Sequence, residues 1–119
     1  MKGDRMRRVN ELLRETIAEE VHELKDPRIG FVTITGVDTS PDLRNAIVYY
    51  SVLGDDEDAR STGEALQHAA PHIQEGIASQ VRLKYLPKLR FDVDPSIAHG
   101  ARIDSILADI REERDDDGG

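Results

Sequence analysis

His68 and His72 stand four residues apart, the spacing that puts two imidazoles on one helix face where they can hold a metal ion. Pro71 lies between them, however, and Ala69 takes the place of the glutamate in H-E-x-x-H, so the pair reads as surface histidines beside a kink. Asp55, Asp56, Glu57 and Asp58 form a block that could attract a divalent cation. They also open a helical pattern, where acids serve the cap and the positive end of the helix dipole, and that reading is the simpler one. Asp92 and Asp94 are two carboxylates at alternate positions, which the outer face of a strand explains without chemistry. His22 and His99 have no evident partners. With no cysteine there is no disulfide, thiolate metal site or cysteine nucleophile. Neither glycine-rich nucleotide loop nor the serine elbow occurs. The residues point to a chain that is not an enzyme, with no metal and no cofactor.

What remains is charge. The stretch "VRLKYLPKLRF" (81–91) holds four cations, Arg82, Lys84, Lys88 and Arg90, and no acid, inside a chain of formal net charge −8. The negative charge is uneven: residues 104–119 carry seven acids and two arginines, and residues 55–58 carry four acids. The remainder is nearly balanced and can hold basic patches, so an acidic total argues only weakly against a nucleic-acid partner. Further cations are Arg7, Arg14 and Lys25 along one edge of an amphipathic pattern, and Arg28 and Arg44 near turns. Cations gathered on one face suit a phosphate backbone, because each neutralised phosphate releases a counterion. From charge alone a nucleic acid, a protein partner and no binding role all stay open. No RNP1-like sequence and no obvious stacking platform is present, which argues against an RRM-type sheet.

The elements that must position these charges follow from periodicity. Between Asp4 and Lys25, Met6, Val9, Leu12, Leu13, Ile17, Val21 and Leu24 recur at steps of three and four, predicting an amphipathic helix with Glu20 as an inconsistency inside the stripe. Glu11, Glu15, Glu19 and Glu23 form one row on it, and "DPRIG" ends it. "FVTITGVD" and "NAIVYYSVL", joined by "TSPDLR", predict a hairpin whose faces are both partly covered. Two helical segments follow, from "GDDEDARSTGEALQHAA" and from Ile73, Ile77 and Val81, with a kink at Pro71. "RLKYLPKLRFDVD" then alternates: odd positions Leu83, Tyr85, Leu89, Phe91 and Val93 are apolar and even ones are cationic, with Leu86 the exception. Ile103, Ile106, Leu107 and Ile110 suggest a last short helix.

The length fits one domain with a modest core. Apolar periodicity stops at Ile110, so residues 1–111 are expected to form a single domain and residues 112–119 an acidic disordered tail. No apolar run approaches the roughly 18 residues of a membrane span, and "MKGDRMRRVNELLRE" lacks the apolar region of a secretory signal. A monomer in the cytoplasm is expected.

The order helix, strand, strand, helix, kink, helix, strand is that of an α+β fold of the KH-like type II class, a three-stranded sheet packed against helices. The segments "DPRIGFVTITGVDTSPDLRNAIVYYSVLG", "ALQHAA" and "LKYLPKLRFDVDPSIAHGARIDSIL" strongly resemble the ribosome-binding factor A family, in order from about Arg7 to Ile110. The resemblance implies a non-enzymatic assembly factor that binds the free or immature small ribosomal subunit through its ribosomal RNA. It implies help with late maturation, including rRNA processing, and particular importance in the cold. In that family an Ala-x-Gly kink replaces the G-x-x-G loop of ordinary KH domains; here the matching residues are Ala69, Ala70 and Pro71, and proline removes an amide that could have faced a phosphate. The family often has an acid where this chain has Lys88. The RNA surface is expected at Arg7, Arg14, Lys25, Arg28, Arg44, His68, Arg82, Lys84, Lys88 and Arg90. Element order alone also fits a KH-type single-stranded RNA-binding regulator that does not travel with ribosomes.

Overall fold

The computed structural model describes residues 2–95; the helix expected over 103–110 and the tail from 112 lie outside the described residues. The order is α1 (Lys2–His22), β1 (Val32–Thr39), β2 (Asn45–Val52), α2 (Asp56–His68), α3 (Ala70–Gln80) and β3 (Lys88–Val93). This is the expected α+β, KH-like arrangement. The three strands form one sheet in the order β1-β2-β3, with β1 antiparallel and β3 parallel to β2. A parallel neighbour needs a long crossover, and the α2–α3 pair supplies it.

One face of the sheet lies under the helices. Ile34, Val37, Ala46, Val48, Tyr50, Leu89 and Phe91 turn inward from the strands and meet Leu13, Ile17, Leu66, Ile73 and Ile77, all buried. On β2 the opposite positions Ile47, Tyr49 and Ser51 are half-buried, so that face is less covered among the described residues. A bulge between Ile34 and Gly36 shifts the β1 register against Tyr50 and Tyr49. Glu20, the acid in the apolar stripe of α1, accepts a hydrogen bond from Gln80 Nε2 at 3.0 Å. It sits over Gly76, where any side chain would collide with its carboxylate.

Helix α1 stops at His22, short of the expected Lys25. Past His22 the last turn tightens, the Glu23 amide bonding the Glu20 carbonyl at 3.2 Å and the Leu24 amide the Val21 carbonyl at 3.1 Å, and Pro27 further on keeps the chain from resuming the helix. Lys25 therefore does not continue the helix edge that carries Arg7 and Arg14. The "DDED" block caps α2: Asp55 accepts from the Asp58 amide at 2.9 Å, and the Asp55 amide donates to Asp58 at 3.0 Å. Ala69 alone separates α2 from α3, and Pro71 stands in the first turn of α3, where a missing amide hydrogen costs nothing. The break between the two helices falls at Ala69, directly before Ala70 and Pro71.

Side-chain amides close the sheet edges. On β3, Gln67 Nε2 donates to the Leu89 carbonyl at 2.9 Å and Gln67 Oε1 accepts from the Phe91 amide at 3.1 Å, as a neighbouring strand would. Gln74 Nε2 donates to the Pro87 carbonyl at 2.7 Å. On β1, Asn10 Oδ1 accepts from the Thr39 amide at 3.0 Å.

The packing of Tyr50 under α2 gives a direct test. Its hydroxyl donates to the Ala59 carbonyl at 3.1 Å, and a Cβ at Gly63 would overlap that hydroxyl and lie 3.2 Å from Cζ. Gly63→Ala is expected to cost about 1–2 kcal/mol, overpacking outweighing the gain in helix propensity. Thermal unfolding should show it, and the cost should shrink in a Tyr50→Phe background. Equal cost in both backgrounds would contradict this packing.

Candidate nucleic-acid interface

Burial of Leu89 and Phe91 decides where the cations of β3 go. Because a strand alternates, Lys88 and Arg90 emerge on the face away from the helices. The alternation holds further back than the strand does. Residues 81–87 form a loop rather than the expected extension of β3, yet Arg82 and Lys84 are exposed while Leu83 and Tyr85 are half-buried. Pro87, buried, anchors the loop.

The β1–β2 turn delivers Arg44 to this loop. Ser40 Oγ donates to Asp42 at 2.7 Å, the Leu43 amide to Ser40 at 2.8 Å and the Arg44 amide to Asp42 at 3.1 Å. Leu43 adopts φ 64°, a left-handed conformation that costs a residue with a side chain about 1–2 kcal/mol. The Lys88 amide bonds the Arg44 carbonyl at 2.9 Å. Arg44 Cζ then lies 4.1 Å from the centroid of the Tyr85 ring, and Lys84 Nζ lies 5.6 Å from it. Both are within cation–π reach, which holds the two side chains at the surface without neutralising them.

Beside this cluster a cleft of about 730 Å³ opens between the start of α1, the hairpin turn and the loop. Met6, Val9, Pro41, Leu43 and Leu83 give it an apolar floor, and Arg5, Arg82 and Lys84 rim it. Arg5, Arg44, Arg82, Lys84 and Lys88 thus gather at one end of the molecule, and none makes an ion pair among the described residues. Arg5 was missed by the sequence reading, which followed the Arg7 and Arg14 edge. Only the contact of α1 with residues 82–84 reveals it.

The other expected residues are placed differently. Arg7 pairs with Asp4 at 3.0 Å, Arg14 with Glu11, Arg28 with Asp26 at 2.8 Å and Arg90 with Asp92 at 2.9 Å. The Arg14 guanidinium holds the Glu11 carboxyl below its ordinary range, and Asp92 raises Arg90. These pairs are exposed and local, so each carries little stabilising energy while the carboxylate offsets the charge of its arginine. Arg7 and Arg14 lie on the flank of α1 that faces β1, away from the Arg5 cleft. Lys25 lies beyond the far end of α1, with roughly 26 Å of helix between Arg5 and His22. His68 ends α2 near Asp26, whose carboxyl senses its charge. Among the described residues no helix is long and apolar enough to cross a membrane.

Asp26 marks how completely Arg28 is neutralised. Hydrogen bonds from the Arg28 side chain, then from its backbone amide, lower the Asp26 carboxyl to about 2. Its unfolded value is about 3.9, so the pair's contribution is complete above roughly pH 4 and is lost as pH falls through about 2. A carboxyl-carbon NMR titration should place Asp26 near 2 and, in Arg28→Ala, which keeps the backbone amide, higher but still below the ordinary value. An Asp26 that titrates near 3.9 in the parent would show that Arg28 is free to meet a phosphate.

The family model described as ribosome-binding factor A matches residues 5–107. Ribosome-binding factor A of Halothermothrix orenii is 42% identical over 118 residues, covering 98% of this chain and 97% of that protein. A solution structure of a ribosome binding factor A from Thermotoga maritima superposes with a TM-score of 0.69 at 34% identity, covering 74% of this chain and 85% of that one. Coordinates of Thermus thermophilus ribosome binding factor A, fitted into a cryo-EM map of its complex with 30S, superpose with a TM-score of 0.60 at 30% identity, covering 72% and 91%. This chain belongs to the ribosome-binding factor A family.

Proposed function

We propose that the chain is an assembly factor that binds the immature small ribosomal subunit through its ribosomal RNA and assists late maturation, including rRNA processing. It acts without a catalytic step of its own, as a monomer in the cytoplasm, and matters most at low temperature. Residues 1–111 act as one unit, and the acid-rich residues 112–119, which phosphate repels, take no part in the contact. The observation that carries this reading is the gathering at one end of five cations, Arg5, Arg82 and Lys84 on an apolar cleft and Arg44 and Lys88 beside it, none of them ion-paired among the described residues. Family membership supplies the subunit: the related Thermus thermophilus factor occupies 30S.

Lysine and arginine at this end position the domain on phosphates, and the A-form shape of folded RNA supplies selectivity. Arg90, tied to Asp92, contributes less than its place in the row suggests. The kink contributes shape: Pro71 is exposed, lacks an amide hydrogen and leaves no backbone donor at its position.

Binding to immature small subunits across a salt series tests the assignment. Each phosphate-facing cation contributes roughly 0.7 to 0.9 to the slope of log affinity against log salt. Replacing Arg44, Arg82, Lys84 and Lys88 by glutamine should therefore flatten the slope by about 3 and leave the fold intact. Glutamine at Arg7, Arg14 and Arg28, all ion-paired, should change it by less than about 1. A folded quadruple variant with an unchanged slope would make this end a solvated face only.

A further inference from the structure

One stretch of sheet edge is left open. Gln67 covers β3 and Asn10 covers the Thr39 end of β1, but the first half of β1 has no such cover among the described residues. The Leu53 amide bonds the Phe31 carbonyl at 3.1 Å, which makes Phe31–Leu53 a hydrogen-bonded pair. Antiparallel pairs alternate, so at Val32 and Ile34 the amide and carbonyl turn away from β2 toward the free edge. There they line a groove of about 770 Å³ between β1 and the second half of α1, walled by Ala18, Val21, Leu24 and Ile29. At its mouth Phe31 is 80% exposed, and its paired neighbour Leu53 is 78% exposed. Large apolar side chains left this open beside an unpaired edge mark a contact surface.

The charge of the groove selects its occupant. Glu19 and Glu23 line it, and its one arginine, Arg14, is already bound to Glu11. Glu11 and Glu15 continue the acidic row along α1. A phosphate chain, the acid-rich C-terminal residues of this chain and a second copy presenting the same glutamates are all repelled. We propose that this groove takes an extended, cationic peptide segment of a partner protein, which adds to β1 as a fourth strand. Main-chain bonds to Val32 and Ile34 give it register, alternate apolar side chains enter the groove, and its cations meet Glu19 and Glu23. The surface is separate from the cationic end and does not depend on the RNA assignment.

The test uses the full-length, ¹⁵N-labelled chain and two N-acetylated, C-amidated peptides, KVKVKVK and EVEVEVE. The lysine peptide should shift the amides of Val32, Ile34 and residues 19–24 in a saturable way, leave residues 82–90 unmoved, and bind at least tenfold more tightly than the glutamate peptide. Val32→Pro removes the edge donor without a ladder bond and should weaken binding at least tenfold. Glu19→Gln with Glu23→Gln leaves the backbone alone and should narrow the gap between the two peptides severalfold; it keeps the test decisive if the proline variant does not fold. The proposal is overturned if the lysine peptide gives no saturable shift at millimolar concentration, if both peptides bind alike, or if the shifts fall elsewhere. It is also overturned if a uridine oligonucleotide shifts the same amides, if sedimentation shows a dimer, or if removing residues 96–119 is what exposes the Val32 amide.

Discussion

The seating of β3 under the helix pair is the constraint from which the rest of the surface follows. Leu89 and Phe91 must enter the core, because without them β2 would lose its parallel neighbour and Leu66 and Ile73 their floor. Gln67 fixes the strand by bonding the backbone on both sides of Arg90, a donor and an acceptor from one side chain. With the odd positions buried, period two sends Lys88 and Arg90 outward. The same phase runs back through the loop to Lys84 and Arg82. Truncating a buried aromatic ring of this kind costs about 3–5 kcal/mol. The cationic row is therefore coupled to the stability of the core and cannot drift in register.

Charge segregation is the second consequence. The acidic row of α1 borders the β1 groove, while the start of the same helix joins the loop and turn cations at the cleft. A net charge of −8 conceals this division. Cation–π contact with Tyr85 keeps Arg44 available, whereas carboxylates two or three residues away hold Arg14, Arg28 and Arg90. The result is one molecule with two faces of opposite sign, each suited to a different class of partner.

Much of this was legible in the chain itself. The β3 row came from an alternation broken only at Leu86, the α1 stripe from its period, and the kink from Pro71 inside a helical pattern. What was not legible depends on contacts distant in sequence. Arg5 joins the cluster only because α1 lies against residues 82–84, and no local pattern announces that. Gln67 and Asn10 look like ordinary polar residues until a strand edge meets them. Leu24 keeps the helical period and so draws Lys25 onto the helix, although α1 ends at His22 and closes with i→i−3 bonds at Glu23 and Leu24. The loss of Arg14, Arg28 and Arg90 to nearby acids was written in the spacing, but counting cations by face overlooked it.

The most direct measurement is a cryo-EM map of the immature small subunit carrying this chain. The account predicts ribosomal RNA phosphates at hydrogen-bonding distance from Arg44, Arg82, Lys84 and Lys88, with the glutamate row of α1 turned away from RNA. A map in which that end faces solvent while the α1–β1 flank rests on RNA would contradict it.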